Sequence, residues 1–286
     1  MRPLHFRQAL LDEVSRVTRG EMPPPVARVF MPEPHPDPAR EPEFGVVKLD
    51  DGSAGLYYAW LGDSQRGMGA RFPAASLQGL PAGELARYFL REDEAARSLG
   101  LAAINAITAW WWRQQGYMPP PARAAFGVAI ATGDRVGFIG YFQSLVAQLL
   151  AEGHDVVVLE RKSHLWRRAE RLLVTGDPTA LADRDVVVGT ATMCLNDSLD
   201  ATLDHCRDAR EIAIVGPTAG FLPGPLFARG VASVGGVVLT DADAAIDAMA
   251  SGGPWKPHAR HFLIEPRVCR EEAQASRRRG GPPGNR

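Results

Sequence analysis

Four short stretches of this 286-residue sequence combine permissive glycines with small polar or acidic side chains. The first is Gly140-Tyr141-Phe142, where a glycine ahead of a helical pattern lets backbone N–H groups approach a ligand. Glu160 follows Gly140 by twenty positions, a spacing at which a carboxylate accepts hydrogen bonds from the ribose hydroxyls of a nucleoside cofactor. Only Gly137 and Gly140 of the three-glycine dinucleotide fingerprint are present, which disfavours pyrophosphate binding more than adenosine binding. The plainer alternative for Glu160 is a surface pair with Arg161 or Lys162. The third stretch, Gly189-Thr190-Ala191-Thr192-Met193-Cys194-Leu195-Asn196, offers hydroxyls and an amide as adaptable donors and acceptors, and Thr192 or Asn196 also suits a helix cap. In the fourth, Gly216-Pro217-Thr218, a Gly-Pro turn carries a hydroxyl on a stiff support.

Other chemistries find less support. Cys194, His205 and Cys206 lack the paired spacing of a metal site, and the two cysteines read more naturally as buried small hydrophobes. His258 and His261 are three apart, but Pro257 and Pro266 leave little room for a helix between them. No Walker-type lysine motif and no G-x-S-x-G elbow is present, which disfavours ATP chemistry and nucleophilic hydrolysis. The sequence names no catalytic acid, base or nucleophile.

The candidate residues belong to a chain with two rhythms. Residues 7–19 place Ala9, Leu10, Val14 and Val17 on one face of a helix. Prolines then recur at 23–25 and at every second position from Pro32 to Pro38. Val46–Leu49, a turn at Asp50-Asp51-Gly52 and Gly55–Trp60 predict a hairpin, followed by helices over Ala82–Glu94 and Ser98–Gln115. The second helix ends in Trp110-Trp111-Trp112, a run expected to pack between two domains. Gly116 stops it, and Pro119-Pro120-Pro121 forms a stiff connector. Beyond the connector, strands are predicted at Arg135–Gly140, Asp155–Glu160, Asp185–Gly189, Glu211–Gly216 and Gly236–Thr240, with helices at Phe142–Glu152, Leu195–Cys206 and Asp243–Ala250. Continuous Val/Ile runs alternating with helices indicate a parallel sheet covered on both faces, an α/β, Rossmann-like domain whose ligands bind beyond the carboxyl ends of the strands. The expected division is 1–118, 124–254 and a basic, mobile tail at 255–286.

Composition bounds the partners. A hydrophobic fraction of 45% and a charged fraction of 23% describe a globular chain, without an apolar run long enough to span a bilayer. Met1–Phe6 lacks the apolar core of a secretory signal, and Cys194, Cys206 and Cys269 are an odd, sparse set; both favour a cytoplasmic, reducing location. The net charge of −1 gives no electrostatic reason to expect nucleic acid. From Lys256 onward eight Lys/Arg and three Glu give +5, leaving −6 for the remainder.

Taken together, these stretches resemble the family named "putative heavy-metal chelation", whose members join an enolase-amino-terminal-like domain to a Rossmann-like domain. The likeness rests on Gly100–Ala106, Val136–Phe142, Leu159-Glu160, Gly189 through Asn196, Val215–Thr218, Leu226–Val231 and Gly252-Gly253, in the right order. It implies a smaller α+β enolase-N-terminal-like domain in the first half, a site in the cleft between the domains, and Asn105 as a contribution from the first of them. The chain departs from the family at Val188, where a threonine is usual, and at Asp197, where a glycine is usual. The proline-rich insertion and the basic tail are not family features.

Three functions follow. The first is binding or processing of a small polar ligand in the cleft, a metal chelate or its precursor, with a divalent metal ion as candidate cofactor. Asn105, Glu160, Thr192, Asn196 and Thr218 would supply the polar contacts. The second is an enzyme using an adenosine-bearing cofactor, S-adenosylmethionine before NAD. The third is an oligomeric scaffold, a homo-oligomer with the three tryptophans at a subunit interface.

Overall fold

The computed structural model describes residues 5–33, 43–59, 67–122 and 128–266. Pro34, Pro36, Pro38, Trp60, Cys269 and the arginine-rich end of the expected tail lie outside these residues. No helix among the described residues is long and apolar enough to cross a membrane.

Helix α1 (Phe6–Val17) opens the chain and buries Phe6, Leu10, Leu11 and Val14. Strands β1 (Val26–Phe30), β2 (Phe44–Leu49) and β3 (Ala54–Tyr58) then form an antiparallel sheet in the order β1-β2-β3. The expected hairpin is β2–β3, closed at Gly52 with φ +88°. β1 was not anticipated, because three prolines precede a run only five residues long. Short helices α2 (Met68–Arg71), α3 (Ala74–Leu77) and α4 (Ala82–Ala86) follow, then a 3-10 turn over Arg87–Leu90 and the long α5 (Glu94–Gln114).

The two helices expected at Ala82–Glu94 and Ser98–Gln115 are therefore divided differently. The Asp93 carboxylate accepts from the Ala96 N–H at 2.7 Å and starts α5 four residues early. Gly100 lets the preceding turn lie across α5, since a Cβ there would come within 2.1 Å of the Phe89 nitrogen. α5 is apolar around most of its circumference, and a helix of that kind is stable only when surrounded. Trp110 and Trp112 are buried, and Trp112 meets Phe262, near the other end of the chain, edge-on at 5.4 Å.

The second sheet comprises β4 (Arg135–Ile139), β5 (Asp155–Leu159), β6 (Arg167–Arg168), β7 (Leu172–Thr175), β8 (Val186–Thr190), β9 (Glu211–Val215), β10 (Ser233–Leu239) and β11 (Ala259–Ile264). Helices α6 (Gln143–Ala151), α7 (Leu199–Asp204), α8 (Gly224–Phe227) and α9 (Ala242–Ala250) lie between them. The spatial order is β11-β10-β9-β8-β4-β5-β7-β6. Its six central strands are parallel and, numbered among themselves, run 3-2-1-4-5-6, the doubly wound order. Val136, Phe138, Val156 and Val158 pack against α6 on one face. Val157, Val187, Ile212 and Ile214 face the other way, into a core that also contains α1 and α5.

Three expectations for this half need correction. The sheet is not wholly parallel: β6 and β11 add antiparallel edges. β11 carries the fold to Ile264, past the expected limit at 254, because Phe262 and Ile264 alternate inward beside β10. Its flanking prolines had obscured it. The expected helix Leu195–Cys206 is a 3-10 turn over Ala191–Leu195, an extended Asn196 and then α7. Asn196 Oδ1 accepts from the Ser198 N–H at 3.1 Å, a local turn that replaces the helical bond.

The halves interlock. The outer face of the first sheet, Val46, Ala54 and Leu56, packs against α9 and Val237, while Lys48 donates to Asp243 at 2.7 Å. Asn105, 2% exposed on α5, donates through Nδ2 to the carbonyls of Leu56 at 3.0 Å and Thr218 at 2.9 Å. Replacing Asn105 by Leu strands both carbonyls and is expected to lower stability by roughly 2–4 kcal/mol in urea unfolding. Gly100→Ala forces a methyl against the Phe89 backbone and should cost about 1–3 kcal/mol in the same measurement. A midpoint unchanged from the parent would contradict either packing.

Candidate functional site

In a doubly wound sheet the strand order reverses at one point, and the crossovers leave a crevice there beyond the carboxyl ends. Here the reversal falls between β4 and β8, whose last residues lead into Gly140 and Thr190. Gly140 has φ +91°, and a Cβ on it would lie 2.9 Å from Thr190 Cγ2, so both conformation and space require glycine. Gly216, after β9, has φ +149° and sits against Ala191.

A cavity of about 940 Å³ opens at this point. Gly140, Tyr141, Phe142, Glu160, Thr190, Thr192, Asn196, Gly216, Pro217 and Thr218 all line it, and Phe44 and Tyr58 of the first sheet form its opposite wall. Asn105 is the exception among the residues singled out in the sequence. It is not among the lining residues: packed against Gly55 of β3, it spends its amide hydrogens on the carbonyls of Leu56 and Thr218 and so holds a lining residue through the backbone.

The polar groups are fixed to different degrees. Glu160 is tied at three points: its N–H donates to the Thr175 carbonyl at 2.8 Å, Oε1 accepts from the Lys162 N–H at 2.9 Å, and its carbonyl accepts from Trp166 Nε1 at 2.7 Å. Among the described residues it forms no ion pair with the side chains of Arg161 or Lys162, so the surface-pair alternative does not hold. Oε2 is left for another donor. Across the cavity, burial pushes the Tyr58 phenol above its usual range, and the carboxylates of Glu43 and Glu160 add to the effect. The Thr190 and Thr192 hydroxyls lie 3.1 Å apart. Thr218 is 1% exposed, and its hydroxyl has no hydrogen-bond partner within the chain. The Asn105 Oδ1 and the hydroxyls of Ser98, Thr108 and Ser233 share this condition, so it does not single Thr218 out.

Asn196 and Ser198 are held from behind. Asp197, between them, accepts from Arg7 Nη2 at 2.8 Å and lies 3.6 Å from Arg97 Nη1 and 3.1 Å from His5 Nε2. Arg97 also donates to the Leu195 carbonyl at 2.9 Å. Two buried guanidinium groups need a counter-charge, which explains an aspartate at this position.

Sequence reasoning missed part of the lining. Trp166, Gly176 and Pro178 follow from the β6–β7 hairpin, which a two-residue strand gives no periodicity to reveal. Phe44 and Tyr58 belong to a hairpin that was recognised; only its packing across the crevice was not legible.

The donor set does not fit a metal held by the protein alone. No group of three or more His, Cys, Asp or Glu side chains suited to a metal ion occurs among the described residues. Cys194 and Cys206 are buried free thiols. Burial pushes the Cys206 thiol up to about 12 and the Cys194 thiol above its usual range, so neither supplies a thiolate readily. His258 ends a 3-10 turn and His261 lies on β11.

A family model described as "Putative heavy-metal chelation" matches residues 124–265, and a second model with the same description matches residues 42–108. An uncharacterized protein of Methanocaldococcus jannaschii is 29% identical over 157 residues, which span 54% of this chain and 59% of that relative. Among solved structures, a protein of unknown function from Pyrococcus horikoshii superposes with a TM-score of 0.66 at 20% identity, covering 91% of this chain and 99% of its own. Another from Desulfitobacterium hafniense gives 0.63 at 20% identity, covering 90% and 98%. These likenesses show a shared fold over nearly the whole chain, and with both family models matched in order the chain belongs to the "Putative heavy-metal chelation" family.

Proposed function

We propose that the chain binds a small polar ligand in the cleft between its two sheets, and that this ligand is a metal chelate whose own donors hold most of the metal. The observation that carries this reading is the convergence of four separately predicted stretches on one cavity, where Glu160 is the single lining carboxylate among the described residues. A volume of about 940 Å³ lies in the range of small-molecule sites. One carboxylate and several hydroxyls cannot complete a coordination shell, but they can complete or orient a complex that arrives nearly full. Arg161 and Lys162 at the rim favour an anionic chelate.

A second reading, an adenosine-bearing cofactor, is favoured by the positions of Gly140 and Glu160 at the ends of adjacent strands. S-adenosylmethionine suits it better than NAD. Gly137 is a packing glycine inside β4, where a Cβ would meet Arg184 and Leu181 at 2.9 Å, so it takes no part in a phosphate loop. The scaffold reading has less to rest on, since Trp110 and Trp112 are buried within the chain.

The test is a thermal-shift and calorimetric panel of free nickel, nickel–citrate, S-adenosylmethionine and NAD. A ligand at about 100 times its dissociation constant stabilises by about 2.7 kcal/mol. Nickel–citrate is expected to raise the melting temperature more than free nickel, and Glu160→Ala to weaken its binding about tenfold without altering the circular dichroism. If none of the four shifts the melting temperature, the proposal fails. The thiols provide an independent check. With Cys206 titrating at about 12, both buried cysteines are protonated at about pH 8, and iodoacetamide should leave them unlabelled in the native protein. Rapid native labelling of either would restore thiolate as a metal donor.

A further inference from the structure

We infer that Trp166 is the stacking platform for the flat ring of a nucleoside whose sugar hydroxyls donate to the Glu160 carboxylate; this deepens the second, adenosine reading above and rests on the cavity being the ligand site.

Among the described residues Trp166 is the one exposed aromatic side chain, 49% accessible, and it lines the cavity. It is not loose. Its indole Nε1 donates to the Glu160 carbonyl at 2.7 Å, and its own N–H to the Ser163 carbonyl at 3.0 Å. One side of the ring rests on Gly176, where any Cβ would lie 2.2 Å from Cζ2. An indole clamped along one edge and open to a cavity is preorganised to stack, because its conformational entropy is already lost.

The bond from Trp166 to the Glu160 backbone carbonyl holds the ring beside the residue that carries the carboxylate. Glu160 Oε1 is turned by the Lys162 N–H, which leaves Oε2 for a hydroxyl donor. A ligand matching both carries a flat heteroaromatic ring joined to a hydroxyl-bearing group, which is the chemistry of a nucleoside. A metal chelate needs no aromatic platform, and this separates the two ligand classes.

The test titrates the full chain, its W166A and W166F variants and Glu160→Ala with adenosine, ribose and nickel–citrate by calorimetry. Adenosine should bind the parent and ribose should not at the same concentration. Trp166→Ala should weaken adenosine about tenfold or more, while Trp166→Phe retains most of the affinity because a ring remains. Equal adenosine affinity in the parent and W166A overturns the inference. So does binding of nickel–citrate, lost in Glu160→Ala, with no binding of adenosine, and in that case the cavity survives as a chelate site. Failure of all three probes removes both readings. Trp166 is half exposed, so its variants should fold, and W166F serves as the control should the alanine variant not.

Discussion

The structure depends on the burial of α5. A helix lined on nearly every side by Ala, Leu, Ile and Trp is insoluble alone, and it is accommodated by the first sheet on one side and the doubly wound sheet on the other. The two halves therefore share one core rather than touching across a polar seam. Val157, Val187, Ile212 and Ile214 belong to the same apolar cluster as Phe6, Leu10 and Leu101. The cavity follows from this arrangement. It is the space left where two sheets, fixed by a common helix, diverge at the carboxyl ends of β4 and β8.

Buried polar groups then specify how the halves meet. Asn105 uses both amide hydrogens on carbonyls from opposite halves. Arg7 and Arg97 converge on Asp197 and bring α1, α5 and the Asn196–Ser198 wall into register. Buried ionic groups of this kind contribute little net stability but make misregistered packing expensive. The cavity walls come from distant parts of the chain, so their alignment depends on these contacts.

Much of this was legible beforehand, for identifiable reasons. Val186-Val187-Val188 and Val156-Val157-Val158 are apolar on both faces, and only a doubly covered parallel strand asks for that. Strand ends then located Gly140, Glu160, Thr190 and Gly216 by rule. β1, β6, β7 and β11 were not legible: β6 has two residues and β7 four, too short for a pattern, and the edge strands β1 and β11 lie close to prolines. Trp166 was hidden with them. Asn105 was found for its place in a family pattern, but its role came out differently: it braces the wall and does not line it.

The connector between the halves runs beside β11, with the Leu263 N–H donating to the Pro120 carbonyl at 3.1 Å and Arg260 to that of Pro119 at 2.7 Å. The described part of the connector, as far as Ala122, is thus tied to β11, and α9 packs against the outer face of the first sheet. The two halves are joined beside β11 as well as through the core that α5 shares with both sheets.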